Sequence, residues 1–361
     1  MSPAANGSGR PGGAPSGRRF GVSDLRGVIA VTPTPALPGA DAPDARDTVD
    51  LAETERMIRS LLDAGIDGIM TNGTLGEMAT LTLDEWKAFA GVVAETVRAA
   101  GSEIPVFVGA TALGTRDTAD RVAYLQSIGL HGAFLGRPFW SQLGPEAMVQ
   151  YYEDLTTAFP EMSFVLYDNP EAFKGPIPPP VYARLAANPG IVGVKYTMIT
   201  PKYRSDMEAV RGGLRILPIE ADWLVARTLY PDEMVACWSS SALCGPEPAL
   251  YLRDALGRGD VEEARWLTDR VEWTYEPFLA RQDFAEFSKY NIPLEKVRFD
   301  EAGYVRAGPT RPPYHVVPEA YVEGARENGR RWRRLVEEVA GREPSRAQPA
   351  HATGLNEGSL T

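Results

Sequence analysis

The sequence predicts a (β/α)8 barrel with additional C-terminal helices, and three observations carry that expectation. Eight short apolar runs alternate with eight longer amphipathic ones, which argues for a parallel sheet with crossover helices. The alternation occupies roughly 230 residues, the size at which eight such units close on themselves. No Gly-x-Gly-x-x-Gly turn follows the first run, which counts against the doubly wound open sheet. The candidate strands are 27–35, 68–74, 106–110, 132–136, 164–167, 192–196, 215–219 and 234–239. The candidate helices are 51–64, 83–100, 116–128, 145–159, 179–187, 201–210, 222–229 and 246–256. Leu51, Met57, Ile58, Leu61 and Leu62 give the first helix one apolar face. Asp84 and Glu85 place acid in the first turn of the second, suiting the positive end of its dipole. Pro145, Pro179, Pro201 and Pro246 stand near helix starts, where a missing N–H costs nothing.

The barrel is expected over 21–258, followed by a helical extension over 259–340 packed on its flank. Within that extension 261–283 and 318–340 read as helical, and they bracket a turn-rich segment, 286–314. Residues 1–20 and 341–361 are rich in Gly, Pro, Ser and charge, and read as disordered tails. The first of them has no apolar core of the kind a signal peptide needs, so a cytoplasmic protein is expected. No apolar run reaches membrane-spanning length. A net charge of −11 disfavours nucleic acid and anionic membranes as partners. Cys237 and Cys244 read as small buried residues, not a disulfide framework. Three histidines (His131, His315, His351) fall in no metal-ligand spacing, so no metal or cofactor is expected.

Lys195 ends the apolar run Ile191-Val192-Gly193-Val194-Lys195-Tyr196. Desolvation at the end of a buried strand favours the neutral amine, and a neutral amine is a nucleophile toward ketones. The competing reading is a lysine that merely snorkels out of a strand end. Twenty-eight residues earlier, Tyr167 ends the run Ser163-Phe164-Val165-Leu166-Tyr167. In a barrel all strand C-termini share one mouth, so the phenol and the amine are expected on adjacent strands facing one cavity. A phenol there can move protons on and off a carbinolamine.

Three motifs in order, Gly73-Thr74-Leu75-Gly76-Glu77, Tyr167-Asp168-Asn169-Pro170 and Gly193-Val194-Lys195, resemble those of a known family. They are similar to the pyruvate-dependent class I aldolases of the dihydrodipicolinate synthase and N-acetylneuraminate lyase superfamily. A closer likeness is to its trans-o-hydroxybenzylidenepyruvate and 2-carboxybenzalpyruvate hydratase-aldolases. Pro138-Phe139-Trp140, Trp238-Ser239-Ser240, Glu286-Phe287-Ser288-Lys289-Tyr290-Asn291-Ile292 and Gly308-Pro309-Thr310-Arg311-Pro312-Pro313-Tyr314 carry it. The resemblance runs to about residue 335. Three positions depart from the pattern. Leu75 stands where an aromatic residue is common, Ala172 replaces the carboxylate-gripping arginine of the synthases, and 198–206 differs.

The resemblance implies that Lys195 forms an imine with a 2-oxo acid and that Tyr167 shuttles protons. It implies that Gly73, Thr74 and Leu75 receive the pyruvate carboxylate, Thr74 through its hydroxyl and the turn through backbone N–H groups. Asn169 and Asn291 are expected to hold a water or a carbonyl, and Trp140, Trp238 and Ser239 to line an aromatic mouth. For Asn291 a purely structural turn role remains an equal reading. The implied activity is cleavage of an aryl-substituted unsaturated 2-oxo acid to an aromatic aldehyde and pyruvate, in a cytoplasmic homotetramer. A 2-keto-3-deoxy acid aldolase or dehydratase, or a secondary-metabolism aldolase, is the alternative. A silent pyruvate-binding regulator is a further one.

Overall fold

The computed structural model describes residues 18–342, so most of both expected tails lies outside the described residues. Eight strands form one parallel sheet: β1 Gly27–Val31, β2 Gly68–Met70, β3 Val106–Gly109, β4 Gly132–Leu135, β5 Ser163–Asp168, β6 Ile191–Tyr196, β7 Arg215–Leu217 and β8 Ala236–Ser239. Neighbours in sequence are neighbours in space, and β1 also pairs with β8. Between β7 and β8 closure comes from a bridge, Ile219 to Trp238, and from the Trp238 N–H donating to the Pro218 carbonyl at 2.8 Å. The eight strand–helix units are those the sequence predicts. Several strands end earlier than expected, the first two at Val31 and Met70, while β6 and β8 end where expected and β5 runs one residue further.

The surrounding helices follow local signals. They are α1 Leu51–Asp63, α2 Leu83–Ala99, α3 Thr115–Ser127, α4 Pro145–Ala158, α5 Pro179–Ala186, α6 Lys202–Val210, α7 Trp223–Leu229 and α8 Glu247–Arg258. In α2 the Thr82 side chain accepts from Glu85 N–H while Glu85 accepts from Thr82 N–H, a reciprocal cap. Met57, Ile58 and Leu61 of α1 are fully buried against the barrel. Among the described residues no helix is long and apolar enough to cross a membrane.

The extension contains α9 Val261–Tyr275, α10 Phe284–Ser288, α11 Asn291–Ala302 and α12 Glu319–Ala340. Two expectations are corrected here. The segment read as turn-rich holds a 12-residue helix, α11, whose Pro293 sits in the first turn where proline is tolerated. Nor does the extension only cover the flank, since α10 and the start of α11 cross the barrel mouth and wall the cavity above Lys195. Burial explains both: Ile292, Leu294 and Phe299 are almost fully covered, so packing fixes a helix that its composition hardly announces.

One buried cluster ties this cover to the barrel. Glu77, fully buried in the turn after β2, receives Lys296 Nζ of α11 at 2.7 Å and the Arg311 backbone N–H at 2.8 Å. The Arg311 guanidinium also pairs with Glu77 and donates to Thr48 Oγ1 at 2.7 Å. Two cations share one carboxylate with little water to compensate. Glu77→Leu therefore strands both charges and costs about 3–5 kcal/mol of unfolding free energy. Urea denaturation checks this, and a loss below about 1 kcal/mol would refute the clamp.

Candidate active site

Register brings the two predicted side chains together. Tyr167 of β5 and Lys195 of β6 are direct partners across the parallel pair, so both side chains leave the same face at the same height. The Lys195 ammonium nitrogen lies 4.9 Å from the Tyr167 ring centroid and 3.4 Å from that of Trp238. Only 5% of Lys195 is exposed. Burial pulls its pKa down to about 7, against the opposing pull of the Glu295 and Glu220 carboxyls. Near neutrality a large share of this amine is unprotonated, which distinguishes it from a snorkelling lysine.

Tyr167 is held by two hydrogen bonds at its hydroxyl. Thr74 Oγ1 lies at 3.0 Å and Asn169 Nδ2 donates at 3.0 Å. Burial pushes the phenol above its ordinary value, partly countered by these bonds, so it stays protonated. Phe134 packs on the ring at 4.8 Å between centroids and Phe173 meets it edge-on at 5.3 Å. Gly73 keeps this packing close: a Cβ would crowd Phe134 at 3.1 Å, while 3.6 Å to Tyr167 is ordinary contact. Gly136 has a similar reason, since a Cβ would enter the Phe173 ring at 2.0 Å. The Gly73–Glu77 turn closes on Thr74 O···H–N Glu77 at 3.0 Å, and the Leu75 N–H has no acceptor among the described residues.

Two adjoining chambers meet at Tyr167. The inner one, about 700 Å³ including its mouth, holds Lys195, Trp238, Thr74, Leu75, Tyr275 and Glu295. The outer one, about 900 Å³, is lined by Met78, Phe139, Phe173, Ile292, Lys289 and Tyr314. Gly73, Thr74, Tyr167, Asn169, Phe284 and Asn291 border both. The Asn291 Oδ1 is buried without a hydrogen-bond partner, a costly arrangement for a residue serving only a turn.

The other sequence-predicted residues fall less uniformly. Trp140 is 80% exposed and lines neither chamber; Phe139 beside it does, so the aromatic mouth is built from Phe139, Phe173, Phe284 and Tyr314 instead. Trp238 is in the site, but its ring lies beside the amine at the inner end, with Nε1 donating to the Tyr196 carbonyl at 2.7 Å. Ser239 is fully buried and accepts the Ala242 N–H at 3.0 Å, which leaves its neighbour Ser240 on the cavity wall. Sequence reasoning missed Tyr275, Phe284 and Glu295, all from the extension. The available signal was a run in which Glu295, Lys296 and Arg298 interrupt Ile292, Leu294 and Phe299, charges where a buried face should be apolar. Among the described residues no cluster of His, Cys, Asp and Glu could hold a metal ion.

A model described as the Dihydrodipicolinate synthetase family matches residues 39–213. The trans-2'-carboxybenzalpyruvate hydratase-aldolase of Nocardioides sp. (strain KP7) is 42% identical over 86% of this chain and 93% of its own length. The chain belongs to the dihydrodipicolinate synthetase family. The trans-O-hydroxybenzylidenepyruvate hydratase-aldolase of Pseudomonas aeruginosa is 40% identical over 88% of this chain and 95% of its own. A solved structure, PhdJ bound to substrate intermediate, is 41% identical and superposes with a TM-score of 0.86, covering 89% of this chain and 99% of that one. Within the family this chain stands with the hydratase-aldolases.

The depressed amine has a consequence for stability with a definite sign. An unfolded lysine holds its proton to about pH 10.4, the folded one only to about pH 7. Between those values the unfolded state binds more protons, so Lys195 opposes folding less as pH rises through the window. Below about pH 7 the opposition is full. Lys195→Met should thus stabilise the protein by at least about 2 kcal/mol at pH 6, with the gain shrinking toward pH 10. Denaturation of both proteins across this range is the check, and a gain that grows with pH would contradict the assignment.

Proposed function

We propose that this chain is a class I hydratase-aldolase that cleaves an aryl-substituted unsaturated 2-oxo acid to an aromatic aldehyde and pyruvate. The observation that carries the reading is the buried Lys195 amine, its pKa lowered to about 7, in register with Tyr167 at the junction of two chambers, the outer one walled by Phe139, Phe173, Phe284 and Tyr314. The relatives at 40–42% identity, whose names are those of hydratase-aldolases, support it.

The substrate carboxylate seats in the turn at Thr74 and Leu75, where the free Leu75 N–H and the Thr74 hydroxyl offer donors. Lys195 attacks the 2-oxo carbon, and the Tyr167 hydroxyl passes the proton that lets water leave the carbinolamine. The resulting iminium is conjugated to the side-chain double bond and draws electrons from the distal carbon, so water adds there. Asn169 and the unpartnered Oδ1 of Asn291 border the junction at which that carbon lies, and an amide oxygen there can orient the attacking water. Deprotonation of the new hydroxyl breaks the adjacent carbon–carbon bond. The aldehyde departs through the aromatic chamber, and the enamine on Lys195 is protonated and hydrolysed to pyruvate. An aryl group fits the outer chamber because Phe139, Phe173, Phe284 and Tyr314 offer it ring faces and edges.

The reading extends to a cytoplasmic homotetramer, supported by the family resemblance and by exposed apolar side chains such as Trp140 and Leu113 that subunit contact would cover.

The test is to incubate the protein with an aryl-enone pyruvate and follow the aldehyde and pyruvate released. Borohydride added with pyruvate should fix the adduct on the peptide bearing Lys195; recovery on Lys174 or Lys202 would overturn the reading. Tyr167→Phe keeps the ring packing and should lower kcat about a hundredfold. Phe284→Ala should raise KM for the aryl substrate about tenfold while leaving pyruvate trapping within twofold, as one lost aromatic contact predicts. Trp140→Ala, whose ring lines neither chamber, should leave the ratio of aromatic to aliphatic aldehyde use unchanged.

A further inference from the structure

Imine formation replaces an amine that can shed its charge by an iminium that cannot. At a site only 5% exposed, a permanent cation is costly unless an anion faces it. The elements packed around Lys195 bring few candidates. Tyr167 on β5 and Tyr275 on α9 are phenols that burial keeps protonated, and Trp238 on β8 offers only a ring face. Arg281 at the mouth is a cation already paired with Asp222 and Glu272. Glu220, after β7, does not line the cavity; burial pushes its carboxyl up, and its Oε2 has no partner.

Glu295 differs from all of these. It projects from α11 into the inner chamber, one helical turn beyond Asn291. Its Oε2 accepts Arg298 Nε at 2.8 Å, and Arg298 is itself fully buried and anchored to Ser240 Oγ at 2.8 Å and Ser241 Oγ at 3.1 Å. The carboxylate therefore cannot swing away, while no donor among the described residues reaches its Oε1. Its field acts on both reacting groups in one sense, favouring positive nitrogen at Lys195 and disfavouring phenolate at Tyr167.

We propose that Glu295, clamped by Arg298, is the fixed counter-ion of the iminium on Lys195 and a positioning residue for the reaction. It stabilises the cationic intermediate without bonding to substrate. The proposal rests on the imine reading above. It adds that the cover over the barrel mouth supplies charge as well as dryness.

The experiment measures borohydride trapping of pyruvate as a function of pH. Glu295→Gln keeps the shape and an oxygen for Arg298 but removes the charge. Its trapping rate should reach half-maximum about one pH unit lower than in the parent, because the amine loses an anion that favours its protonation. At a pH above both midpoints, the pyruvate concentration giving half-maximal trapping should rise about tenfold. Glu295→Asp retains the charge and should bring the midpoint back toward the parent's, which a merely structural role would not do. If Glu295→Gln does not fold, the double variant Glu295→Leu, Arg298→Met removes both ends of the pair together; a smaller downward shift is expected, because Glu295 lines the chamber of the amine and Arg298 does not. An unmoved midpoint in whichever charge-removing variant folds overturns the proposal and leaves the imine reading standing. Failure of the parent to label at Lys195 overturns both.

Discussion

The removal of water from around the Lys195 amine is the constraint on which the rest of this structure depends. A lysine in water is protonated near neutrality and is no nucleophile; at the end of β6, enclosed by Trp238, Tyr167 and the helices of the extension, its pKa falls to about 7. The barrel alone could not do this, because the C-terminal ends of its strands open outward. The extension closes them. Phe284, Phe287 and Tyr275 come from α9 and α10 and complete the wall. The Glu77 cluster then links the cover to the Gly73–Glu77 turn, so that the cover and that turn form one connected piece of protein.

That arrangement divides the site between two chambers. The inner one carries the amine, the N–H groups of the turn and the Glu295 side chain; the outer one is walled by Phe139, Phe173 and Tyr314, with Glu171, Ser288 and Lys289 among them. Tyr167 stands between them, its hydroxyl fixed from one side by Thr74 and from the other by Asn169. The proposed proton donor thus has a fixed aim.

The barrel was legible because its strands are buried on both faces and read as unbroken apolar runs, such as Phe164-Val165-Leu166 and Ile191-Val192. That Lys195 and Tyr167 meet at one cavity was legible because strand ends in a barrel share one mouth, and the turn at Thr74 was singled out because its motif resembles a family's. What escaped depended on tertiary packing. Ser239 ends β8 and Ser240 opens the turn after it, and only Ser240 lines the cavity, so a single-residue ambiguity exchanged them. Trp140 and Phe139 present the same problem in a loop, where no alternation fixes direction. Glu295 lies 100 residues beyond Lys195 in a helix whose burial, not its composition, gives it its role (295 − 195).

The central claim is that the amine of Lys195 is dry enough to titrate near pH 7. It is tested most directly by titrating the lysine side chains by NMR on protein carrying 13C-labelled lysine, with Lys195 assigned by the signal missing from Lys195→Met. The account predicts one midpoint near pH 7, well separated from the rest. A Lys195 midpoint above about pH 9.5, within the ordinary range of lysine, would contradict it.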